Sequence, residues 1–303
     1  MCKEIDAVVL NFSSTGLLLL DITLAIIMLG VALSIRLDDF RQLMQHPKAA
    51  FVGLSSQLIL LPALTFLLVS ILNPCPSVAL GMFLVAACPG GNISNFMAQQ
   101  AGANTALSVS LSAVSTLLAL VVTPLNFSLW AGFYAPVGDM LTQISLNPLD
   151  LITKVGLILG LPLLLGMWIR DRFPRTATQM EKPFRWLSLI IFAAYVLVAL
   201  ANNFDFFLTY IQDFILIVFI HNGLALIGGY TWASIFRLPQ KDRRTVAIET
   251  GIQNSGLALV LIFSDLFHGL GGMAMIAALW GIWHIVSGLS LAAIWSRQPA
   301  IST

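Results

Sequence analysis

Charge is what this sequence has least of. Only 10% of its 303 residues are Asp, Glu, Lys or Arg, against roughly 25% in a soluble domain. Hydrophobic residues make up 58%, and mean hydropathy is +0.91. A water-soluble globule is excluded. The charges that remain nearly cancel, at net +1, and no basic tract accumulates, so nucleic acid is excluded as a partner. Cysteine is scarce as well. Cys2, Cys75 and Cys88 form no C-x-x-C metal spacing, and each is expected to be an isolated small apolar side chain. A cleavable leader is not expected, because Asp6 interrupts the first apolar residues and no small-residue cleavage pattern follows. Neither H-E-x-x-H nor G-x-S-x-G occurs, which removes the usual signatures of an intramembrane hydrolase. The chain is expected not to be an enzyme.

What is present is a series of apolar stretches about as long as a bilayer is thick. Nine can be counted, at about 15–35, 49–72, 77–100, 104–133, 149–169, 186–202, 211–236, 244–264 and 271–295. The expected class is an all-α polytopic membrane protein, a single unit over 1–303. Basic residues cluster after the first stretch (Arg36, Arg41, Lys48) and after the fifth (Arg170, Arg172, Arg175, Lys182, Arg185). They recur after the seventh (Arg237, Lys241, Arg243, Arg244) and the ninth (Arg297). Alternating helices bring these to one side. The positive-inside rule then puts the N-terminus outside and the C-terminus in the cytoplasm of the plasma or cell inner membrane.

Two stretches are interrupted. Pro89-Gly90-Gly91-Asn92-Ile93-Ser94-Asn95 falls in the third, and Glu249-Thr250-Gly251-Ile252-Gln253-Asn254 in the eighth. Proline lacks a backbone donor and paired glycines favour no helix. Freed backbone groups in lipid must be met by protein, water or an ion. Helices 1–4 start outside and helices 6–9 inside, with helix 5 as the link. Interrupted helices at corresponding positions of two inverted repeats point to a transporter's binding site.

Polar residues gather at these breaks. Glu249 is the most informative, because an intramembrane carboxylate usually marks an ion or proton pathway. The alternative is a carboxylate reaching Arg243 or Arg244. Gln57 serves either as a helix–helix hydrogen bond or as a ligand. Thr105, Ser108, Ser112 and Ser115 share one face of helix 4, as packing residues or as ligands. With Ser94, Asn95 and Gln253 these supply almost only oxygen donors, which suit a hard cation. With one carboxylate, Na⁺ fits better than Ca²⁺. For His221 and His284 a structural hydrogen bond is expected, although the aromatic residues around His284 also suit a cavity wall.

Cys88 to Asn95 and Arg243 to Asn254, with Ala106-Leu107-Ser108, Ser112, and Gln57 before Pro62, resemble the paired signature segments of the bile acid:sodium symporter family. The resemblance runs over nearly the whole chain. It implies the inverted-repeat fold of sodium/proton antiporters, with a panel (about 15–35 and 149–202) and a core (about 49–133 and 211–295). It implies one Na⁺ site of Ser94, Asn95, Ser108, Ser112 and Glu249, and a second of Gln57, Glu249, Gln253 and backbone carbonyls near Thr250 and Ile252. It implies substrate near Asn92, Asn254 and His284. The nine-helix form is closer to the animal members than to bacterial relatives with an additional first helix. Ile285 stands where those relatives carry asparagine after the histidine.

The expected function is therefore sodium-coupled symport of an organic anion by alternating access, with two Na⁺ per substrate, in a monomer. The alternative within the fold is a proton-coupled carrier or antiporter, since a buried carboxylate can also carry protons. An intramembrane enzyme is the remote alternative.

Overall fold

A computed structural model describes residues 2–7, 22, 25–26, 28–30, 32–33, 35–91, 93–143, 148–202, 204–264, 267 and 269–298. Nearly all of them are helical. After a short α1 (Cys2–Ala7), the described residues from 22 to 32 are helical. Then come α2 (Leu37–Gln45), α3 (Pro47–Leu72), α4 (Pro76–Ala87), α5 (Ile93–Gln100) and α6 (Thr105–Phe133). The chain continues as α7 (Gly138–Gln143), α8 (Pro148–Val155 and Leu161–Arg172, joined by π-helical Gly156–Gly160), α9 (Pro174–Asn202) and α10 (Phe204–Ile235). It closes with α11 (Gln240–Gly251), α12 (Ser255–Phe263) and α13 (Gly271–Ser296).

Local chemistry explains the punctuation. Pro47, Pro76 and Pro174 sit at helix starts, where the missing N–H costs nothing. Asn104 caps α6 by accepting from Leu107 N at 3.1 Å. Asn73, at φ 44°, takes the left-handed conformation that ends α3.

Among the described residues, four helices are long and apolar enough to cross a bilayer: Pro47–Leu72, Thr105–Phe133, Leu208–Ile235 and Gly271–Ser296. Their amphipathy is inverted relative to a soluble protein. In α3, Phe51, Ile59, Leu67 and Ile71 are exposed, whereas Ser56, Gln57 and Thr65 are buried. In α6, Leu118, Val121, Leu125, Leu129 and Phe133 are exposed, whereas Ser108, Ser112, Ser115 and Thr123 are buried. Such a surface is stable against hydrocarbon and unfavourable against water. Helices α4 and α12 are buried along almost their whole length, packed with α13 in the largest apolar core.

The third and eighth apolar stretches are interrupted where the glycines stand. Helix α4 stops at Ala87 and α5 starts at Ile93; α11 stops at Gly251 and α12 starts at Ser255. The two gaps pair with each other. Gly90 and Gln253 form an antiparallel bridge, Gly91 N donates to Ile252 O at 2.8 Å, and Asn254 N donates to Pro89 O at 2.8 Å. Four freed backbone groups, two from each break, are thus met by the other break.

Two expectations need correction. Cys2 and Cys75 are not isolated thiols: they form a disulfide across a sequence separation of 73 residues, and only Cys88 is free. Helix α1 brings Cys2 to the start of α4, where Asp6 also accepts from Ser77 N at 2.9 Å. The sixth helix does not start near 186, where its apolar stretch begins, but at Pro174, within the basic run 170–185. Helix continues to Arg172 and resumes at Pro174. The first expected helix, 15–35, lies mostly outside the described residues.

Candidate cation and anion site at the crossing of two broken helices

Glu249 lies in the last turn of α11, fully buried. Its carboxylate accepts from four donors on three other elements. Oε1 takes Ser94 Oγ of α5 and Ser108 Oγ of α6, both at 2.5 Å. Oε2 takes Ser112 Oγ of α6 at 2.9 Å and Gln57 Nε2 of α3 at 3.1 Å. Asn95 Oδ1 stands at the rim of the same cluster, 2.9 Å from Ser108 Oγ and 3.4 Å from Ser112 Oγ. The alternative pairing with arginine is not what forms. Arg244 donates to Ala101 O, Trp295 O and Gln298 O, and Arg243 to Leu238 O.

Glycine at 90 makes this cluster possible. A Cβ there would lie 3.0 Å from Glu249 Oε2 and 3.3 Å from Gln57 Nε2. Gln57 itself sits in a π-helical turn of α3, Ser56–Leu60. Such turns shift the register of side chains and recur at functional sites.

The second half of the site is the C-terminus of α11. A helix leaves its last four carbonyls without intrahelical partners. Here Ile248 O accepts from Ile252 N, and the other three accept from side-chain amides. Glu249 O takes Gln57 Nε2 at 3.2 Å and Gln253 Nε2 at 3.4 Å; Thr250 O takes Gln253 Nε2 at 2.8 Å; Gly251 O takes Asn222 Nδ2 at 2.7 Å. Ile252 O is engaged by Gly91 N. The oxygens of two of these amides, Gln57 Oε1 and Gln253 Oε1, are buried without a partner among the described residues. Two orphaned oxygens beside a carboxylate and three backbone carbonyls form a donor set that a hard cation fits. Ser56, also buried, bonds Thr250 Oγ1 at 2.7 Å.

The expected anion-binding residues are partly described. Asn92 lies outside the described residues. Asn254 caps α12, accepting from Leu257 N at 3.0 Å. His284 is buried on α13, its Nδ1 without a partner among the described residues. It shares a helix face with Gly281 and Gly288. A Cβ on Gly281 would meet Ser255 Oγ at 2.7 Å, and one on Gly288 would meet Met97 Sδ of α5 at 2.4 Å and Ile252 Cδ1 at 2.8 Å. That face therefore looks onto the second break and onto α5, which follows the first. His221 makes the structural hydrogen bond expected of it, Nε2 to Thr65 Oγ1 at 2.7 Å.

With the geometry in view, comparison with known proteins gives it a family. Residues 21–209 match the family described as Sodium Bile acid symporter. The chain belongs to the sodium bile acid symporter family. Among its relatives, an uncharacterized sodium-dependent transporter of Bacillus subtilis, YocS, is 32% identical over 91% of this chain and 83% of its own length. The probable sodium/metabolite cotransporter BASS1 of Arabidopsis thaliana chloroplasts is 30% identical over 91% of this chain and 66% of its own length. The human sodium/bile acid cotransporter 4 is 31% identical over 86% of this chain, which spans 59% of that protein. Members of this symporter family are transporters rather than enzymes, in keeping with the absence of hydrolase motifs.

Asn222 is the site residue that sequence reading passed over. It is fully buried in α10, and its signal was an amide inside an apolar segment, next to the His221 that drew attention.

Proposed function

We propose that the chain is a sodium-coupled symporter of an organic anion. The observation that carries this reading is the fully buried Glu249 held by Ser94, Ser108, Ser112 and Gln57 at the crossing of two broken helices. In this reading the protein has nine membrane helices arranged as an inverted repeat, with panel and core domains and an external N-terminus. The first Na⁺ is bound by Ser94, Asn95, Ser108, Ser112 and Glu249. The second is bound by Gln57, Glu249, Gln253 and the carbonyls of Thr250 and Ile252. Both ions share one carboxylate, so each lowers the cost of burying it for the other.

Two Na⁺ against one carboxylate leave a local charge near +1. The N-terminal ends of α5 and α12 each add roughly half a positive charge and face the crossing. A monoanion bound near Asn92, Asn254 and His284 compensates both, and alternating access carries it across with the ions. The relatives named for sodium and metabolite or bile acid cotransport support this class of cargo.

Uptake by proteoliposomes tests the reading, using a panel of bile acids, keto acids and sulfated anions at fixed pH. An inward Na⁺ gradient should drive uptake of one member, and an inside-negative potassium-valinomycin potential should accelerate it, since two Na⁺ per monoanion moves one net charge. Uptake indifferent to Na⁺ but driven by a pH gradient would replace sodium coupling with proton coupling. Glu249→Ala should lose uptake and Na⁺-dependent thermal stabilisation together.

A further inference from the structure

We propose that Asn222, a residue of neither expected cation site, is a positioning residue for the cation-binding backbone at Thr250–Ile252. The proposal rests on the reading of Thr250 and Ile252 carbonyls as Na⁺ ligands. Three observations carry it.

First, Asn222 is the third member of the amide set that meets the C-terminal carbonyls of α11. Gln57 and Gln253 serve Glu249 O and Thr250 O, and Asn222 Nδ2 serves Gly251 O at 2.7 Å. Gly251 lies between the two residues whose carbonyls are proposed ligands. A peptide group is planar, so fixing the Gly251 carbonyl fixes the plane of the Gly251–Ile252 peptide, the one that leads from the Thr250 carbonyl to the Ile252 carbonyl.

Second, both ends of the Asn222 amide are occupied, which fixes its orientation. The Gly251 carbonyl can only accept, so the nitrogen is the end turned toward it, and Oδ1 accepts from Ser287 Oγ of α13 at 2.6 Å. Ser287 is also within 3.2 Å of His284 O, one turn from the proposed anion-binding histidine.

Third, α10 closes tightly on this turn. A Cβ on Gly229 would lie 2.7 Å from Thr250 Oγ1, and one on Gly251 would lie 2.3 Å from Leu226 Cδ2. Asn222, Leu226 and Gly229 lie along one face of α10, at three- and four-residue spacing. Thr65, bonded to His221, belongs to a neighbouring contact that does not touch the turn.

Removing Asn222 leaves the Gly251 carbonyl buried without its donor. The turn then relaxes and the Thr250 and Ile252 oxygens lose their spacing. A cation site that loses its spacing loses size selectivity as well as affinity.

The test uses the full-length protein in nanodiscs, with Na⁺ or Li⁺ alone as the probe. Thermal-shift titration gives the midpoint for each ion, and the melting temperature without either ion reports folding. Asn222→Ala should raise the Na⁺ midpoint about tenfold and change the Na⁺-to-Li⁺ midpoint ratio at least threefold. Ser287→Ala, which frees the oxygen end of the amide and leaves its bond to Gly251 in place, should move both in the same direction by a smaller factor. Thr65→Val, which removes the buried hydrogen bond between Thr65 of α3 and His221 of α10, should lower the melting temperature and leave the ion midpoints and their ratio alone. Asn222→Ala with an unchanged midpoint and ratio, while Glu249→Ala no longer responds to Na⁺, overturns the positioning role and spares the cation site. An unchanged Na⁺ response in Glu249→Ala as well overturns the cation reading and this proposal with it. Should Asn222→Ala fail to fold, Ser287→Ala decides, and wild-type values there refute the proposal.

Discussion

The three serines of α6 that share a face separate at the level of single hydroxyls. Ser108 and Ser112 reach the Glu249 carboxylate, whereas Ser115 donates to Ser112 O of its own helix at 3.2 Å. Hydrogen bonds to a charged group contribute about 1.5–3 kcal/mol each, so the two kinds of serine differ in consequence. Ser108→Ala should weaken Na⁺ binding about tenfold or more, and Ser115→Ala should change it less than about twofold. Calorimetric titration of purified variants checks both. Equal effects would make the whole face a packing surface. From the sequence the face itself was legible, because spacing of three and four residues defines it. Which hydroxyl meets a carboxylate some 140 positions away was not, since periodicity fixes direction on a helix but not the partner across from it. Asn222 and the Cys2–Cys75 pair were hidden for the same reason: each depends on a distant segment.

At the scale of elements, the breaks at Pro89–Asn95 and Thr250–Asn254 were visible in advance because proline and glycine interrupt an apolar run. Their mutual pairing was not visible, since bridges between extended residues leave no local pattern. Hydropathy windows also missed α2 and the charged first turns of α9, which are helical without being apolar. Two glycines separate the functional and the structural demands on this architecture. Gly90 faces the carboxylate, and an alanine there presses on Glu249 Oε2 and Gln57 Nε2. Gly272 faces α4, where a Cβ would lie 2.1 Å from Ser77 Oγ and 2.9 Å from Ser77 Cβ. Gly90→Ala should therefore reduce Na⁺-dependent stabilisation more than the melting temperature without Na⁺. Gly272→Ala should do the reverse, with an overpacking cost of about 1–3 kcal/mol. Thermal unfolding of each variant with and without Na⁺ reads both effects, and identical profiles would deny the crossing a distinct role.

For the molecule as a whole, two independent rules of cell chemistry agree on one orientation. Helix α3 spans 26 residues, about 39 Å at 1.5 Å per residue. It carries Lys48 at one end and Asn73 at the other. Asn73 accepts from Tyr134 OH at 2.7 Å, beside the end where Cys75 pairs with Cys2. The opposite end carries Lys48, Asn104 bonded to Asp242 at 2.8 Å, and Arg244 bonded to Ala101 O at 3.0 Å. Basic residues are retained in the cytoplasm, and disulfides form in oxidising compartments. We therefore predict that Pro136, in the exposed turn just beyond Tyr134, is outside and that Thr178, exposed in α9, is inside. In intact cells, an impermeant maleimide should label Pro136→Cys and spare Thr178→Cys, each introduced into a protein with Cys88 replaced. Maleimide-polyethylene glycol added after denaturation should count one thiol in the native sequence without reduction, the buried Cys88, and three after it. Labelling of Thr178→Cys from outside would invert the molecule. Three free thiols before reduction would remove the compartment argument and leave the orientation to the basic residues alone.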